Sequence, residues 1–280
     1  MQSLKIKANA KINLSLSVLG KRADGYHELD TVMQSVSLND AVYIEKSDKI
    51  TVECGEFGGE DNIAFKTARA FFAESGIKAG AAIRIEKRIP SAAGLGGGSA
   101  DAAAVLCGLD RLYETKFSYK KLLNIAVKLG ADVPFLIRGG TARARGIGEV
   151  LEPLSPLCGC YFLIAKGEDK PSTGEMFSRL DLAVYDKPDI DRTVFALNSG
   201  DLSAVLSSMD NSFSTLWRES RVKDELLKTK ADAVSLSGSG PAWFAVYTDK
   251  GRAETAEKTL KALNIPVFIC EPQEKSIIFE

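Results

Sequence analysis

The sequence contains one histidine, five scattered cysteines and nearly equal numbers of basic and acidic residues. Because the cysteines lack the paired spacing of zinc and redox sites, we expect no structural metal. The balance of 36 basic and 37 acidic residues gives no global electrostatic reason to bind nucleic acid or a membrane surface. No apolar run approaches the length that spans a bilayer, and lysines stand where a signal peptide would be apolar. We therefore expect a cytoplasmic protein that binds neither nucleic acid nor membrane.

The length and the position of the prolines suggest two domains. A chain of 280 residues, 45 % of them hydrophobic, is long enough for one large core or two modest ones. Pro153, Ser155 and Pro156 interrupt the apolar pattern, and such clusters mark boundaries between packed segments. We predict an N-terminal domain over residues 1–154 and a C-terminal domain over residues 155–280.

The spacing of apolar residues in the N-terminal part predicts both strands and helices. The predicted strands cover residues 4–19 (as one or two strands), 31–38, 41–45 and 82–86. The predicted helices cover residues 62–75, 101–113 and 119–129. Asp61 is a suitable cap at the start of the first helix, and Gly130 is suitable at the end of the last.

The C-terminal part has a simple order of elements: strand, turn, strand, helix and strand. After a short strand at 160–165, polar segments compatible with helices extend to residue 229. The pattern then predicts strands at 233–236, 242–247 and 267–270, with a helix at 252–263 before the last of them. This order indicates an antiparallel sheet with helices on one face, so the fold class of the chain is α+β.

One glycine-rich segment lies between the strand predicted at 82–86 and the helix predicted at 101–113. Its residues are Pro90, Ser91, Ala92, Ala93, Gly94, Leu95, Gly96, Gly97, Gly98, Ser99 and Ala100. Glycines let the backbone curl with its N–H groups exposed, and a helix start adds free N–H groups and the positive end of its dipole. This segment, hereafter the glycine loop, predicts a cradle for an anion, and a phosphate chain fits it best.

The glycine loop follows neither of two common phosphate-binding patterns. It lacks the lysine of a Walker A motif, since no lysine occurs between Arg88 and Lys116, and Ser99 replaces the third glycine of a dinucleotide-binding motif. The alternative interpretation is a flexible linker. The short length, the initial proline and the adjoining alanine-rich helix favour phosphate binding.

Several other residues carry candidate chemical groups. Lys11 and Asn13 share one face of a predicted strand, and taken alone such a pair predicts a solvated face. Asp132 precedes a proline after a predicted helix, which fits a turn or capping residue and a half-buried general base equally well. The glycine-rich turn at 237–241 fits a hairpin connection or a segment that closes over a ligand. The lone His27 fits hydrogen bonding or stacking better than proton transfer.

The order of these motifs resembles the GHMP kinase superfamily. The shared features are a lysine on an N-terminal strand, the glycine loop and a late Gly-Ser-Gly-Pro turn. Residues 10–14 (Ala-Lys-Ile-Asn-Leu), 22–29 (Arg-Ala-Asp-Gly-Tyr-His-Glu-Leu) and 129–135 (Leu-Gly-Ala-Asp-Val-Pro-Phe) are similar to the family of 4-diphosphocytidyl-2-C-methyl-D-erythritol kinases. The likeness runs from residue 8 to residue 241. It implies a two-domain fold with an N-terminal ATP-binding domain. It also implies phosphate transfer from ATP, with Mg²⁺, to the 2-hydroxyl of that alcohol in non-mevalonate isoprenoid biosynthesis.

The resemblance also implies roles for individual residues in the reaction. Lys11 matches the lysine that contacts the substrate hydroxyl, and Asp132 matches the catalytic base. Asn13 lies in the same pocket. The glycine loop matches the segment that binds the phosphates of ATP.

Further residues match the binding sites for the two nucleotides. Tyr26 and His27 match residues that hold the cytosine ring, and Phe177 is placed as a second aromatic side chain against it. Asn62 and Lys87 fall where the adenosine part of ATP is contacted.

The chain departs from the family pattern at two places. The family often has a second serine where Ala100 stands, so Ser99 is the remaining candidate ligand for Mg²⁺, unless water takes that part. The segment at 211–214 lacks the acidic residue expected after its asparagine.

Three questions stay open. The first is whether the acceptor is the cytidylyl alcohol or mevalonate, homoserine or another small alcohol. The second is whether the chain is a catalyst or a non-catalytic nucleotide sensor, and the third is whether it is a monomer or a homodimer.

Overall fold

The structure, a computed structural model, describes residues 3–280. The strands in this range are β1 (Ser3–Lys21), β2 (His27–Ser47), β3 (Thr51–Glu53), β4 (Gly80–Glu86), β5 (Thr141–Gly146), β6 (Val150–Pro153), β7 (Tyr161–Lys166), β8 (Ala233–Leu236), β9 (Ala242–Tyr247), β10 (Val267–Cys270), β11 (Pro272–Gln273) and β12 (Ile277–Phe279). The helices are α1 (Ile63–Ser75), α2 (Gly97–Leu112), α3 (Tyr119–Leu129), α4 (Val133–Arg138), α5 (Thr173–Asp181), α6 (Ile190–Ser199), α7 (Leu202–Ser208), α8 (Arg221–Lys228) and α9 (Lys250–Ala262), with a 3₁₀ helix at Ser212–Trp217. None of these helices combines the length and the apolar composition that crossing a bilayer requires.

The larger sheet is built on the antiparallel pair β1 and β2. β1 is one of the two options predicted for residues 4–19, whereas β2 is a single long strand where the sequence predicted two, at 31–38 and 41–45. β2 pairs with β5 along its first part and with β4 along its second, and β3 adds to β4 in parallel. Shifts in register between residues 9 and 11, and again between 13 and 15, bend β1. Helix α2 packs on β1 and β2, so the bent part of β1 comes close to the start of α2.

The smaller sheet has the strand order β10-β7-β9-β8, and every neighbouring pair is antiparallel. Its side chains alternate between two clusters of buried residues. Leu163 and Ala165 pack with residues of α8 and α9, whereas Phe162 and Ile164 pack into the core that the larger sheet also contributes to. The antiparallel sheet predicted for the C-terminal part is therefore present and carries α8 and α9 on one face.

The last strands return to the larger sheet. β11 pairs with β2, and β12 pairs with β1. The division of the chain at residues 154 and 155 stays a prediction. The return of β11 and β12 means that a C-terminal domain of residues 155–280 would contain strands of both sheets.

The cap of α1 differs from the prediction. Asn62, rather than Asp61, is the N-cap: its Oδ1 accepts from the N–H of Ala64 at 2.8 Å. The amide group of Asn62 also donates to the carbonyl of Phe57 at 2.8 Å. An asparagine can make both contacts because it has a donor and an acceptor, whereas an ionised carboxylate only accepts.

Candidate active site

Two cavities meet beside the glycine loop. The loop cavity, of about 740 Å³, is lined by residues 90–99 together with Asn62 and Lys87. The aromatic cavity, of about 500 Å³, is lined by Lys11, Asn13, Tyr26, His27 and Phe177, among others. Four residues line both cavities: Gly94, Ser99, Asp132 and Thr173. These four residues form the wall that the two cavities share, so molecules bound in the two cavities lie next to each other beside it.

The late glycine-rich turn packs directly on the glycine loop. Ser237 donates its hydroxyl hydrogen to the carbonyl of Gly94 (3.0 Å), and the N–H of Ala242 donates to the carbonyl of Ala93 (3.1 Å). Gly94 has a φ of +81°, and a Cβ there would lie 2.2 Å from the carbonyl oxygen of Ser237. Only glycine fits at this contact. The turn is thus a wall of the site as well as a connection between β8 and β9.

The glycine loop contributes the first turn of α2. This helix begins at Gly97, four residues before the predicted start, because Gly96 adopts the left-handed conformation as its cap. The N–H groups of a helix's first turn have no partners within the helix, and they lie at the positive end of its dipole. Gly97, Gly98 and Ser99 line the loop cavity, so it offers the anion-binding features that the sequence predicts. Ala100 is fully buried and lines neither cavity.

Lys11 and Asn13 are both buried, so the solvated strand face predicted from their spacing alone is wrong. The reason is tertiary: β1 carries them under the glycine loop, and the N–H of Lys11 donates to the carbonyl of Leu95 at 3.0 Å. The Lys11 ammonium donates to Asn13 Oδ1 at 2.8 Å and lies 3.3 Å from Asp132 Oδ2. The Asn13 amide donates in turn to Thr31 Oγ1 at 2.9 Å. This chain of contacts fixes the ammonium beside the carboxylate.

Asp132 stands at the N-terminal end of α4, yet its side chain makes no capping hydrogen bond. Its side chain is 29 % exposed and its partner is Lys11. The residue stands at the start of a helix, as a capping residue does, but its carboxylate lines both cavities, and its role as a general base stays a prediction. A carboxylate held by one cation, with accessible oxygen, has the features of a general base.

The ring of His27 stacks on that of Phe177, with centroids 4.5 Å apart and planes inclined by 22°. His27 Nε2 lies 2.7 Å from an Asp181 oxygen, and this hydrogen bond, helped by Lys21, lowers the pKa of the Asp181 carboxyl. Tyr26 is 60 % exposed at the same cavity. The two stacked residues are far apart in the sequence: His27 begins β2 and Phe177 belongs to α5. The result is an aromatic wall with its imidazole fixed by a carboxylate.

Lys87 lines the loop cavity, but its ammonium is already bound by the protein. It donates to Asp40 at 2.5 Å and to Asp101 at 2.7 Å. Burial, together with repulsion from Asp40, raises the pKa of Asp101 to about 7, although the attraction of Lys87 acts in the opposite direction. Burial opposes the charge on Lys87 too, but the attraction of Asp101 and Asp40 outweighs it and raises the Lys87 pKa. The two carboxylates therefore fix the position of the Lys87 ammonium more firmly than solvent fixes that of a surface lysine.

Among the residues that line the cavities or hold their side chains, Lys170, Thr173 and Asp181 were not singled out from the sequence. All three belong to α5 or to the segment before it. The only local signal there is Ser172, which caps α5 by accepting from the N–H of Glu175 at 3.2 Å. A cap signal locates the helix but not the direction in which its side chains point.

Comparison with known proteins identifies the family. The model "GHMP kinases N terminal domain" matches residues 62–140, and "GHMP kinases C terminal" matches residues 220–265. A 4-diphosphocytidyl-2-C-methyl-D-erythritol kinase of Alkaliphilus metalliredigens is 42 % identical, over 94 % of each chain. The chain belongs to the GHMP kinase family. This GHMP kinase is an enzyme that phosphorylates a small molecule with ATP.

Two solved structures resemble the chain over nearly its whole length. The crystal structure of a 4-(cytidine 5'-diphospho)-2C-methyl-D-erythritol kinase is 30 % identical, with a TM-score of 0.78 and coverage of 95 % and 99 % of the two chains. A homoserine kinase from Cytophaga hutchinsonii has a TM-score of 0.77 at 22 % identity, covering 100 % and 98 %. The second likeness shows the fold alone. The predicted α+β GHMP kinase fold is confirmed, and the fold by itself does not select a substrate.

Proposed function

We propose that this GHMP kinase transfers the terminal phosphate of ATP to the 2-hydroxyl of 4-diphosphocytidyl-2-C-methyl-D-erythritol, a step of non-mevalonate isoprenoid biosynthesis. One observation carries the proposal: Asp132, paired with Lys11, lies in the wall shared by a glycine-lined cavity and an aromatic one. Relatives that are 42 % and 30 % identical bear the name of a kinase for this alcohol, which supports the choice of acceptor.

The loop cavity is the site proposed for ATP. The first turn of α2 presents unpaired N–H groups and a helix dipole to its phosphates. Asn62 and Lys87 line the same cavity but not the wall that it shares with the aromatic cavity, and we assign them to the adenosine part. Phosphoryl transfer depends mainly on positioning and on stabilising charge, which is what this cavity supplies.

The proposed step joins the two cavities. The 2-hydroxyl oxygen attacks the terminal phosphorus of ATP and forms a new P–O bond, while its proton passes to the Asp132 carboxylate. The bond from that phosphorus to the bridging oxygen breaks, and ADP leaves with the electron pair. Lys11, 3.3 Å from Asp132, stabilises both the carboxylate and the incoming oxygen.

Mg²⁺ is proposed as the accompanying ion. It is typically held by a few protein oxygens together with substrate phosphates. In residues 3–280 there is no cluster of three or more His, Cys, Asp or Glu side chains that would hold an ion by itself. The hydroxyl of Ser99 lies in the shared wall and offers one oxygen. This donor set fits an ion bound chiefly by the phosphates of ATP, whose charge it would neutralise.

The aromatic cavity is the site proposed for the cytosine ring. We expect Phe177→Ala to raise the KM for the cytidylyl alcohol about fivefold to a hundredfold, since stacking on one base is worth about 1–3 kcal/mol. The KM for ATP should stay unchanged. Steady-state kinetics on both substrates measure this effect. Phe195→Ala is the matched control, because that phenylalanine is 75 % exposed and lines neither cavity. Equal increases in both KM values would contradict the assignment.

The choice of acceptor is tested with a panel of alcohols. Purified protein is given ATP and Mg²⁺ with the cytidylyl alcohol, with mevalonate or with homoserine, and the release of ADP is followed. The proposal expects turnover with the cytidylyl alcohol only. Turnover on mevalonate alone, or on homoserine alone, would show that the proposed acceptor is wrong, while the assignment as a kinase would stand. Binding of ATP with no ADP release from any alcohol would favour a nucleotide sensor.

A further inference from the structure

Lys170 is a half-buried cation that the mechanism above does not use. It lies between β7 and α5 and lines the loop cavity. Its ammonium donates to Ser239 Oγ at 2.5 Å and to Thr173 Oγ1 at 3.3 Å. In the part of the chain that the structure describes, these hydroxyls are its hydrogen-bonding partners, and no carboxylate forms an ion pair with it.

The electrostatic surroundings of Lys170 disfavour its charge. Burial, followed by repulsion from Lys11, lowers the pKa of Lys170 to about 8. Lys11 has Asp132 as its counter-ion, whereas Lys170 has only hydroxyl oxygens. Half-buried cations are normally paired with anions. The arrangement therefore lacks one negative charge, and a bound anion would supply it.

The neighbours of Lys170 fix where that anion would lie. Ser239 belongs to the glycine-rich turn that packs on Gly94, and Thr173 is one of the four residues in the shared wall. The hydroxyl groups therefore hold the ammonium in the loop cavity, beside the wall that it shares with the aromatic cavity. The unpaired N–H groups at the start of α2 line the same cavity.

We propose that Lys170 is a second phosphate-binding cation of the active site, whose ammonium binds the terminal phosphate of ATP opposite the first turn of α2. This inference rests on the proposed function only for the assignment of ATP to the loop cavity. The diphosphate of the acceptor offers the same chemistry. We favour ATP because Lys170 lines the loop cavity and not the aromatic cavity. The glycine loop has no Walker lysine, and Lys170 supplies a positive charge from another part of the chain.

The test compares the binding of a non-hydrolysable ATP analogue with that of ADP by calorimetry, with Mg²⁺ and without any acceptor. For Lys170→Met we expect the affinity for the analogue to fall about tenfold to a hundredfold, which is the usual cost of losing a hydrogen bond to a charged group. The affinity for ADP should hardly change. Lys170→Arg should recover most of the loss, because it restores the charge.

The matched control is Lys166→Met. Lys166 lies at the end of β7, pairs with Asp169 at 3.0 Å and lines neither cavity, so its replacement should leave both affinities unchanged. Thermal unfolding of each variant checks that it is folded. Equal losses for the analogue and ADP, or no loss for either, would overturn the proposal.

The acceptor provides a separate arm of the test. If Lys170→Met raises the KM for the cytidylyl alcohol but keeps the preference for the ATP analogue over ADP, Lys170 binds the diphosphate of the acceptor. That result would overturn the assignment to ATP. The binding measurement needs no acceptor. If the alcohol panel rejects the cytidylyl alcohol, a lost preference for the ATP analogue in Lys170→Met still supports the role of Lys170.

Discussion

Replacing Asp132 by asparagine is expected to lower kcat about a hundredfold to ten-thousandfold, the usual contribution of a positioned general base. Asparagine keeps the size and the hydrogen-bonding reach of the side chain but cannot take the proton of the attacking hydroxyl. Since the Asp132 side chain is partly exposed and caps no helix, its loss should not unfold the protein. The KM values for ATP and for the acceptor should change little, as expected when only the transition state is affected.

Steady-state kinetics with both substrates measure this effect. The control is Asp48→Asn, an exposed aspartate after β2 that lines neither cavity, and its kinetics should match those of the unaltered protein. If Asp132→Asn turned over at an undiminished rate, Asp132 would not be the base. The assignment of the glycine loop to ATP would survive that result.

Replacing Lys11 by methionine is expected to lower kcat by about a hundredfold to a thousandfold, the range measured when one group that stabilises developing negative charge is removed. Methionine fills the same narrow space under the glycine loop, where the Lys11 side chain is only 5 % exposed. It cannot stabilise the incoming oxygen or the Asp132 carboxylate. The loss should therefore come from the missing charge.

The comparison for Lys11 lies on the same strand. Lys7 also projects from β1, but its side chain is 43 % exposed and pairs with Glu280 at the surface, so Lys7→Met should keep its full activity. The two active-site changes should not be additive, because Lys11 and Asp132 act on the same oxygen. A double variant that multiplied the two single losses would indicate that the residues act independently. That outcome would contradict the shared role.

The regular elements with clear apolar periodicity were predictable from the sequence. Helix α3 has the predicted bounds, and so do β8, β9 and β10. Each has a full pattern within its own residues and a glycine, proline or polar segment at its end. Missed were β3, β5, β6, β11 and β12, which are short strands. All but β6, which forms a hairpin with β5, pair with strands that lie far away in the sequence. Local patterns hold little information about such strands.

The start of α2 illustrates how tertiary structure overrides local preference. Glycine has a poor helix propensity, which places the predicted start after the glycine loop. In the structure Gly97 and Gly98 are helical, because Gly96 caps the helix and the loop is fixed to β1 and to the turn after β8. The chemical function of the loop was evident from its composition. Its conformation required the partners on both sides.

The candidate site divides in the same way. Recognisable motifs contain Lys11, Asp132, His27 and the glycine loop, so these residues were predictable from the sequence. The structure adds that they lie together at the two cavities. Lys170 and Asp181 lie in no motif, and their importance comes from neighbours at great separation in sequence: Ser239 for one and His27 for the other. The first pairing depends on the register of β7 against β9, and the second on the position of α5 beside the start of β2. The periodicity and motifs of a single sequence do not reveal such contacts between distant residues.

The proposed function is tested most directly by identifying the product of the reaction. Purified protein is incubated with ATP, Mg²⁺ and 4-diphosphocytidyl-2-C-methyl-D-erythritol, and the products are analysed by phosphorus NMR and mass spectrometry. We expect equal amounts of ADP and of an acceptor that carries one new phosphate ester on its 2-hydroxyl, with its diphosphate intact. ADP without a phosphorylated acceptor, or a phosphate on a different hydroxyl, would contradict the proposed function.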